Sequence, residues 1–236
     1  FFFNAGVLLL QGYGMTECFV ITVANPEHNK FGTCGPVVPL MEVKFSEEGE
    51  ILAKSPSMMK GYYKDPQLTR ESLTEDGFMK TGDVGFIDEE GYLSITDRIK
   101  DMMKTSGGKY IAPQHIETLL KEDFYIDNAA TIGDQRQYVS ALICPSFEAL
   151  EGWAKAKGIS YASREELVQN PEVIAFYREL VDNRTKDLGQ VEKIKKFTLL
   201  PNEFAQETGE LTATMKIKRK AINEIYADAI EAMYVE

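Results

Sequence analysis

Three short stretches carry side chains that could act on a polyanionic ligand. In GYGMTE (12–17), Tyr13 offers a ring face for stacking, Thr16 a hydroxyl for a phosphate oxygen, and Glu17 a carboxylate able to hold Mg²⁺. Gly12 and Gly14 let the backbone turn sharply. The same letters suit a strand-to-helix turn with Thr16 as its N-cap, so the stretch alone leaves both readings open. In KTGDVGF (80–86), Asp83 follows a glycine in a turn. A carboxylate presented that way can accept two hydrogen bonds from a vicinal diol such as ribose; the plainer alternative is an Asx-turn that satisfies its own backbone. In TMKIKRK (214–220), one lysine aimed at a polyphosphate would be a strong electrostatic catalyst, although cationic runs ordinarily form a solvated face.

TSGGK (105–109) ends in Gly-Lys but is no Walker loop, because Met103 stands where that motif has its first glycine. The pair Gly107-Gly108 suits either a flexible turn that approaches a ligand closely or an ordinary loop. His28 and His115 are the only histidines, which makes a Ser-His-Asp triad or a His-based metal site a poor fit.

The elements that must position these residues differ along the chain. VLLLQ (7–11) is a short apolar run, expected as a strand buried on both faces. MEVKFSEEGEILAKSP and FIDEEGYLSITDR each read as strand, acidic Gly-containing turn, strand. DPQLTRESL between them reads as a short helix with Asp65 as N-cap and Pro66 at its first position. Beyond residue 100, APQHIETLLKE starts a helix at Pro113 with Ile116, Leu119 and Leu120 on one face, and NAATIG and YVSALICP read as strands. Ser163 and Glu166 make a capping box. Asn170-Pro171 opens a longer helix with Val173, Phe176, Tyr177, Leu180 and Val181 inward and Gly189 at its end. KKFTLLP (195–201) reads as a strand, and a last helix turns Ile222, Tyr226, Ala229, Ile230 and Met233 inward. The polar stretch DRIKDMMK (97–104) is the expected boundary between the two parts.

Composition narrows the class. A chain of 236 residues, 44% hydrophobic and 27% charged, is long enough for a sizeable core and ordinary for a globular protein. Its formal net charge of −11 argues against wholesale nucleic-acid binding. Cys18, Cys34 and Cys144 are odd in number, far apart and without a CxxC, which fits a reducing cytosolic setting with the thiols buried as small apolar groups. No apolar run approaches the ~20 residues that span a bilayer, and FFFNAG lacks the basic start of a signal peptide.

Each motif is weak alone, but their order is specific. GYGMTE, then KTGD, then DRIKD, then a lysine near the C-terminus resembles the adenylate-forming superfamily, which includes acyl-CoA synthetases, luciferases and peptide-synthetase adenylation domains. EDGFMKTGDVGFIDEEGYLSITDRIKD (75–101) closely resembles the fatty-acyl-CoA synthetase signature. GELTATMKIKRKAI and the sizeable segment at 146–190 are similar to the long-chain group rather than to the shorter luciferases. The resemblance covers essentially the whole chain.

What it implies is an α+β chain: the end of a large α/β domain with a small β-barrel subdomain over 1–97, then a mobile α+β lid over 98–236. By the same resemblance Tyr13 stacks on adenine, Thr16 bonds the α-phosphate and Glu17 helps hold Mg²⁺. Asp83 accepts the ribose hydroxyls and Arg98 also reaches the ribose. Lys100 is the hinge. Lys104 faces the site in the thioester-forming orientation, where Gly107 and Gly108 line the pantetheine channel. Lys216 acts in adenylation. The implied ligands are a fatty acid, ATP, Mg²⁺ and CoA, with peripheral membrane contact left open.

The family's Ser/Thr/Gly-rich phosphate loop and most of its acyl pocket precede GYGMTE, so this sequence is expected to be a C-terminal fragment, inactive by itself. The family often has an acidic residue where His115 stands, and His115 is given no role. Two other readings remain: activation of an acid for transfer to a carrier protein, and a non-catalytic interaction module that keeps the lid fold.

Overall fold

The computed structural model describes Phe2 and residues 4–235. The chain divides into two compact units, the first running through Asp101 and the second starting at Met102. Each is described by itself.

The first unit is built on antiparallel pairing. A hairpin joins β1 (Gly12–Met15) to β2 (Phe19–Val23), with a bulge between Tyr13 and Gly14. A second sheet is a four-stranded meander of β3 (Glu42–Phe45), β4 (Glu50–Lys54), β5 (Met79–Ile87) and β6 (Leu93–Arg98), in that order. Helix α1 (Pro66–Glu71) lies between β4 and β5; as the sequence suggests, Asp65 caps it, accepting the Leu68 N–H at 2.9 Å. The core is small: Cys18, Ile21, Met41 and Ala53, with Tyr13, Met15, Val37, Val38, Val43 and Met58 packed on it.

Two expectations for this unit are corrected. The small barrel is an open sheet among the described residues, with β3 and β6 as its edges. Four strands enclose too little interior to close on themselves. Val7–Gln11 forms no strand, and Val7, Leu8, Leu9 and Leu10 are exposed. An apolar run becomes a buried strand only when a ladder pairs with it, and no described strand does.

The second unit is layered. After β7 (Met103–Lys104) and β8 (Tyr110–Ile111) come α2 (Pro113–Lys121), β9 (Ile126–Ile132), β10 (Ser140–Pro145), α3 (Phe147–Lys157), α4 (Arg164–Gln169), α5 (Pro171–Arg184), β11 (Lys196–Leu199), α6 (Arg219–Ile225) and α7 (Ala227–Ala232). The sheet order is β11-β10-β9, with β10 antiparallel to β9 and parallel to β11. Ala141 and Ile143 of β10 point into one core with Ile116, Leu120, Leu150, Leu167, Val173, Tyr177 and Val181. Leu142 and Cys144 point into the opposite core with Leu200, Phe204, Leu211, Ile222, Ile230 and Met233. This two-sided burial is why SALICP reads as a continuous apolar run rather than an alternating one. Each fully buried Leu or Ile contributes ~1.5–3 kcal/mol.

Three local details differ from the sequence reading. Helix α5 ends at Arg184, where the Thr185 hydroxyl donates to Val181 O at 2.7 Å, so Gly189 is not its cap. In the capping box, Ser163 Oγ accepts the Glu166 N–H, but Glu166 Oε2 reaches back to the Ala162 N–H at 2.6 Å rather than to Ser163. The last helix is two, α6 and α7, broken at Tyr226, whose hydroxyl donates to Glu210 Oε1 at 3.0 Å. No helix among the described residues is long and apolar enough to cross a membrane.

Candidate functional site

In the first unit the hairpin and the meander bring Tyr13, Asp83 and Arg98 together. Asp83 and Arg98 are paired residues on β5 and β6. Arg98 Nη1 donates to Asp83 Oδ1 at 2.6 Å, and Tyr13 Oη donates to Asp83 Oδ2 at 2.6 Å. The Asp83 side chain is 15% exposed and Arg98 52% exposed, so the cluster has a buried base and an open rim. Burial, and then the bond to Asp83, push the Tyr13 phenol well above the usual tyrosine range. The phenol therefore stays a donor at every working pH.

Asp83 is not on a turn, as the sequence suggests, but within strand β5. Gly82, in the left-handed region at φ +73, kinks that strand, and its N–H donates to Glu50 Oε1 at 2.9 Å. Thr81, 6% exposed, fixes the kink: its hydroxyl donates to Ile51 O at 2.8 Å and accepts the Asp83 N–H at 3.1 Å. The Asp83 carboxylate is spent on two side chains from elsewhere in the fold, not on an Asx-turn. Each carboxylate oxygen has two acceptor positions, so a diol can join Tyr13 and Arg98 without displacing them.

GYGMTE also differs from its sequence reading. Gly12 and Gly14 lie inside a strand and do not make the turn. A Cβ on Gly14 would sit 2.3 Å from Phe19 O, so the glycine permits close approach of β2. The turn itself is Thr16-Glu17-Cys18, and it leads into β2, so Thr16 caps no helix. Thr16 is exposed there. Glu17 Oε1 accepts the Tyr62 hydroxyl at 2.8 Å, and Glu17 O accepts the Met59 N–H at 2.7 Å. Burial, then the Glu17 charge, pushes the adjacent Cys18 thiol up to about 11.

Among the described residues no group of three or more His, Cys, Asp or Glu could hold a metal ion. Glu17 fits the lesser demand of Mg²⁺, which is ordinarily held by one or two carboxylates together with substrate phosphates and water. Lys100 is exposed, on the single 3₁₀ turn Ile99–Asp101 that closes the unit.

In the second unit Lys104, Gly107 and Gly108 share one short hairpin between β7 and β8. Thr105 closes it, accepting the Gly108 N–H at 2.8 Å through its carbonyl and the Lys109 N–H at 3.2 Å through its hydroxyl. Gly108 is left-handed at φ +77. Lys104 is exposed, with Nζ 5.1 Å from the Tyr110 ring centroid.

Lys216 lies on a separate exposed turn. Thr212 accepts the Lys216 N–H at 3.0 Å through its hydroxyl, and its own N–H donates to Lys216 O at 2.8 Å. Met215 is left-handed at φ +60. The turn is anchored by a residue the sequence reading passed over. Arg219 forks onto Glu117, Nη1 to Oε1 at 2.8 Å and Nη2 to Oε2 at 3.0 Å. Glu117 is 4% exposed and also accepts the Thr131 N–H at 2.8 Å. Arg219 lies in the cationic run, and its partner is 102 residues away, so no spacing signal marks it. Tyr62 was missed for the same reason, its partner Glu17 lying 45 positions away.

Residues 100–236 match the family described as AMP-binding enzyme C-terminal domain, and residues 1–63 match AMP-binding enzyme. The chain belongs to the AMP-binding enzymes. Within that family it is 37% identical over 236 residues to the long-chain-fatty-acid–CoA ligase FadD15 of Mycobacterium bovis, covering 99% of this chain and 39% of that protein. It is 33% identical over 244 residues to human long-chain-fatty-acid–CoA ligase 1, covering 97% of this chain and 35% of that protein. The chain thus spans well under half the length of these relatives. Its fold is also similar to the adenylation domain of a carboxylate reductase from Mycobacterium chelonae, with a TM-score of 0.65 and 26% identity over 98% of this chain and 35% of that one.

Proposed function

We propose that the protein containing this chain activates a long-chain fatty acid with ATP and transfers the acyl group to CoA. The observation that carries the reading is the Tyr13–Asp83–Arg98 cluster, a carboxylate held by two donors at 2.6 Å beside an exposed rim. Asp83 takes the ribose hydroxyls, Arg98 reaches the same sugar, and the Tyr13 ring stacks on adenine. Thr16, exposed on the turn that follows, bonds the α-phosphate. Glu17 contributes one carboxylate to Mg²⁺, which when bound offsets phosphate charge.

In the first half-reaction a carboxylate oxygen of the fatty acid bonds to the α-phosphorus, and the bond to pyrophosphate breaks. Two anions must approach, and Lys216 stabilises the charge that develops. In the second, the CoA sulfur bonds to the acyl carbon, AMP leaves and the thiol proton is lost. Lys104 and the Gly107-Gly108 turn serve this step, the glycines leaving room for the pantetheine arm. Lys100 is the hinge on which the protein changes between the two.

The test is Lys216→Ala in the intact protein. ATP–pyrophosphate exchange should fall about a hundredfold or more, while thioester formation from supplied acyl-adenylate persists. Equal loss of both half-reactions refutes the role of Lys216. Failure of the parent protein to exchange pyrophosphate with any fatty acid refutes the function.

A further inference from the structure

The hairpin carrying Lys104, Gly107 and Gly108 is too short to hold its own shape. Strands β7 and β8 are two residues each, and the turn between them is exposed from Ser106 to Lys109. Met103 and Ile111 seat its two strands in the core, and its turn is held by the loop at 133–139, which joins β9 to β10. Asp134 Oδ1 accepts the Lys104 N–H at 3.1 Å. Lys104 O accepts the Gln135 N–H at 2.8 Å, and Arg136 O accepts the Ser106 N–H at 2.9 Å. Gln135 makes this possible by adopting a left-handed conformation at φ +58, a cost that a non-glycine residue bears only where surrounding contacts hold it.

That supporting loop is in turn fastened to the end of the chain. The Arg136 guanidinium forks onto Glu231, with Nη1 3.0 Å from Oε2 and Nη2 on Oε1, and it lies 4.7 Å from the Tyr234 ring centroid. The Tyr138 hydroxyl donates to Met233 O at 2.6 Å, and its ring packs on Tyr234 with centroids 4.9 Å apart. Tyr234 Oη meets the fully buried Ser140 Oγ at 2.8 Å and lies 3.2 Å from Ile132 O. A bidentate, stacked arginine is the surface arrangement that holds geometry best.

We propose that Asp134 and Arg136 are positioning residues for the Lys104–Gly108 hairpin, and that Glu231 and Tyr234 set its shape through Arg136. The proposal rests on the thioester role given to that hairpin above. Asp134 fixes the hairpin's first strand, and Arg136 fixes its turn through Ser106. Among the described residues neither hydrogen-bonds to Lys216 or its turn, so the two half-reactions should separate.

The experiment uses Arg136→Ala, Arg136→Lys and Asp134→Ala in the intact protein. With Arg136→Ala, thioester formation from supplied acyl-adenylate should fall about ten- to a hundredfold, the loss expected when a reacting geometry is misplaced slightly. KM for CoA should rise, and ATP–pyrophosphate exchange should stay within about twofold. Arg136→Lys keeps the charge but not the fork, and should recover only part of the loss. Amide hydrogen exchange gives a second, activity-free readout. Lys104 and Ser106 should exchange faster in Arg136→Ala and Asp134→Ala, with Ala141 and Ile143 of the core strand unchanged. Equal loss of both half-reactions, full rescue by lysine, or unchanged protection at Lys104 and Ser106 overturns the proposal. A parent protein without pyrophosphate exchange sinks the functional reading alone, and the amide protection still decides the positioning claim.

Discussion

Arg98 faces Asp83 across two neighbouring strands, with the guanidinium 2.6 Å from one carboxylate oxygen while Tyr13 holds the other. The carboxylate is therefore oriented by the protein before any ligand arrives. A preorganised acceptor loses little entropy on binding, as the proposed ribose role requires.

Removing this acceptor should weaken nucleotide binding. A hydrogen bond to a charged group contributes ~1.5–3 kcal/mol, so Asp83→Ala should weaken AMP binding by roughly ten- to a hundredfold. Tyr13→Phe keeps the ring and loses one donor, so its effect should be smaller. Calorimetric titration of the intact protein with AMP measures both. An unchanged affinity in Asp83→Ala would remove Asp83 from the site.

Gly14 tests the hairpin that carries Tyr13. A methyl group there would lie 2.3 Å from Phe19 O and 3.0 Å from the Val20 Cα, both backbone atoms. Gly14→Ala should destabilise by about 1–3 kcal/mol, the usual cost of overpacking. It should weaken AMP binding as well, since Tyr13 is the neighbouring residue. Urea denaturation together with AMP titration would show it; native stability in Gly14→Ala contradicts the close approach.

The Glu117–Arg219 pair tests what anchors the Lys216 turn. Breaking a buried pair by removing one partner costs ~3–5 kcal/mol, because the other charge stays buried. Arg219→Met should show that loss in chemical denaturation. Glu117→Gln with Arg219→Met should recover part of it, since the amide oxygen still accepts the buried Thr131 N–H and no charge is left stranded. A double variant no more stable than the single would count against this account.

Asp76 supplies a pH dependence. Its bond to Lys44, then the one to Thr74, holds the carboxyl down to about 2. An unfolded aspartate titrates near ~3.9. A depressed carboxylate stabilises the fold fully above its unfolded value, and that contribution disappears as pH falls through the folded value. Asp76→Asn should therefore be less stable than the parent near neutral pH, with the difference fading between about pH 4 and pH 2. The pair is exposed, so the difference should be small and shrink with salt. Thermal unfolding of both proteins across that range measures it, and a pH-independent difference would contradict it.

Local chemistry was legible without coordinates wherever it acts within a few residues. Asp65 before Pro66 marked a helix start, and YVSALICP marked a strand, because capping and burial imprint themselves on adjacent letters. VLLLQ misled because an apolar run specifies the wish for burial and not the partner strand. Gly189 misled because a threonine hydroxyl had already ended the helix.

The motif order GYGMTE, KTGD, DRIKD and Lys216 was enough to assign the family. Which residues meet was decided only in three dimensions. Tyr13 reaches Asp83 across 70 positions, Tyr62 reaches Glu17 across 45, and Arg219 reaches Glu117 across 102. Hydrogen bonds need donor and acceptor within about 3 Å, and no sequence spacing encodes that distance once the chain has folded back on itself. The sequence by itself named the carboxylates, the lysines, Tyr13 and Arg98 as groups that could do the chemistry. The tertiary structure supplied Tyr62, Thr81 and Arg219, and the bonds by which Tyr13 and Arg98 hold Asp83 in place.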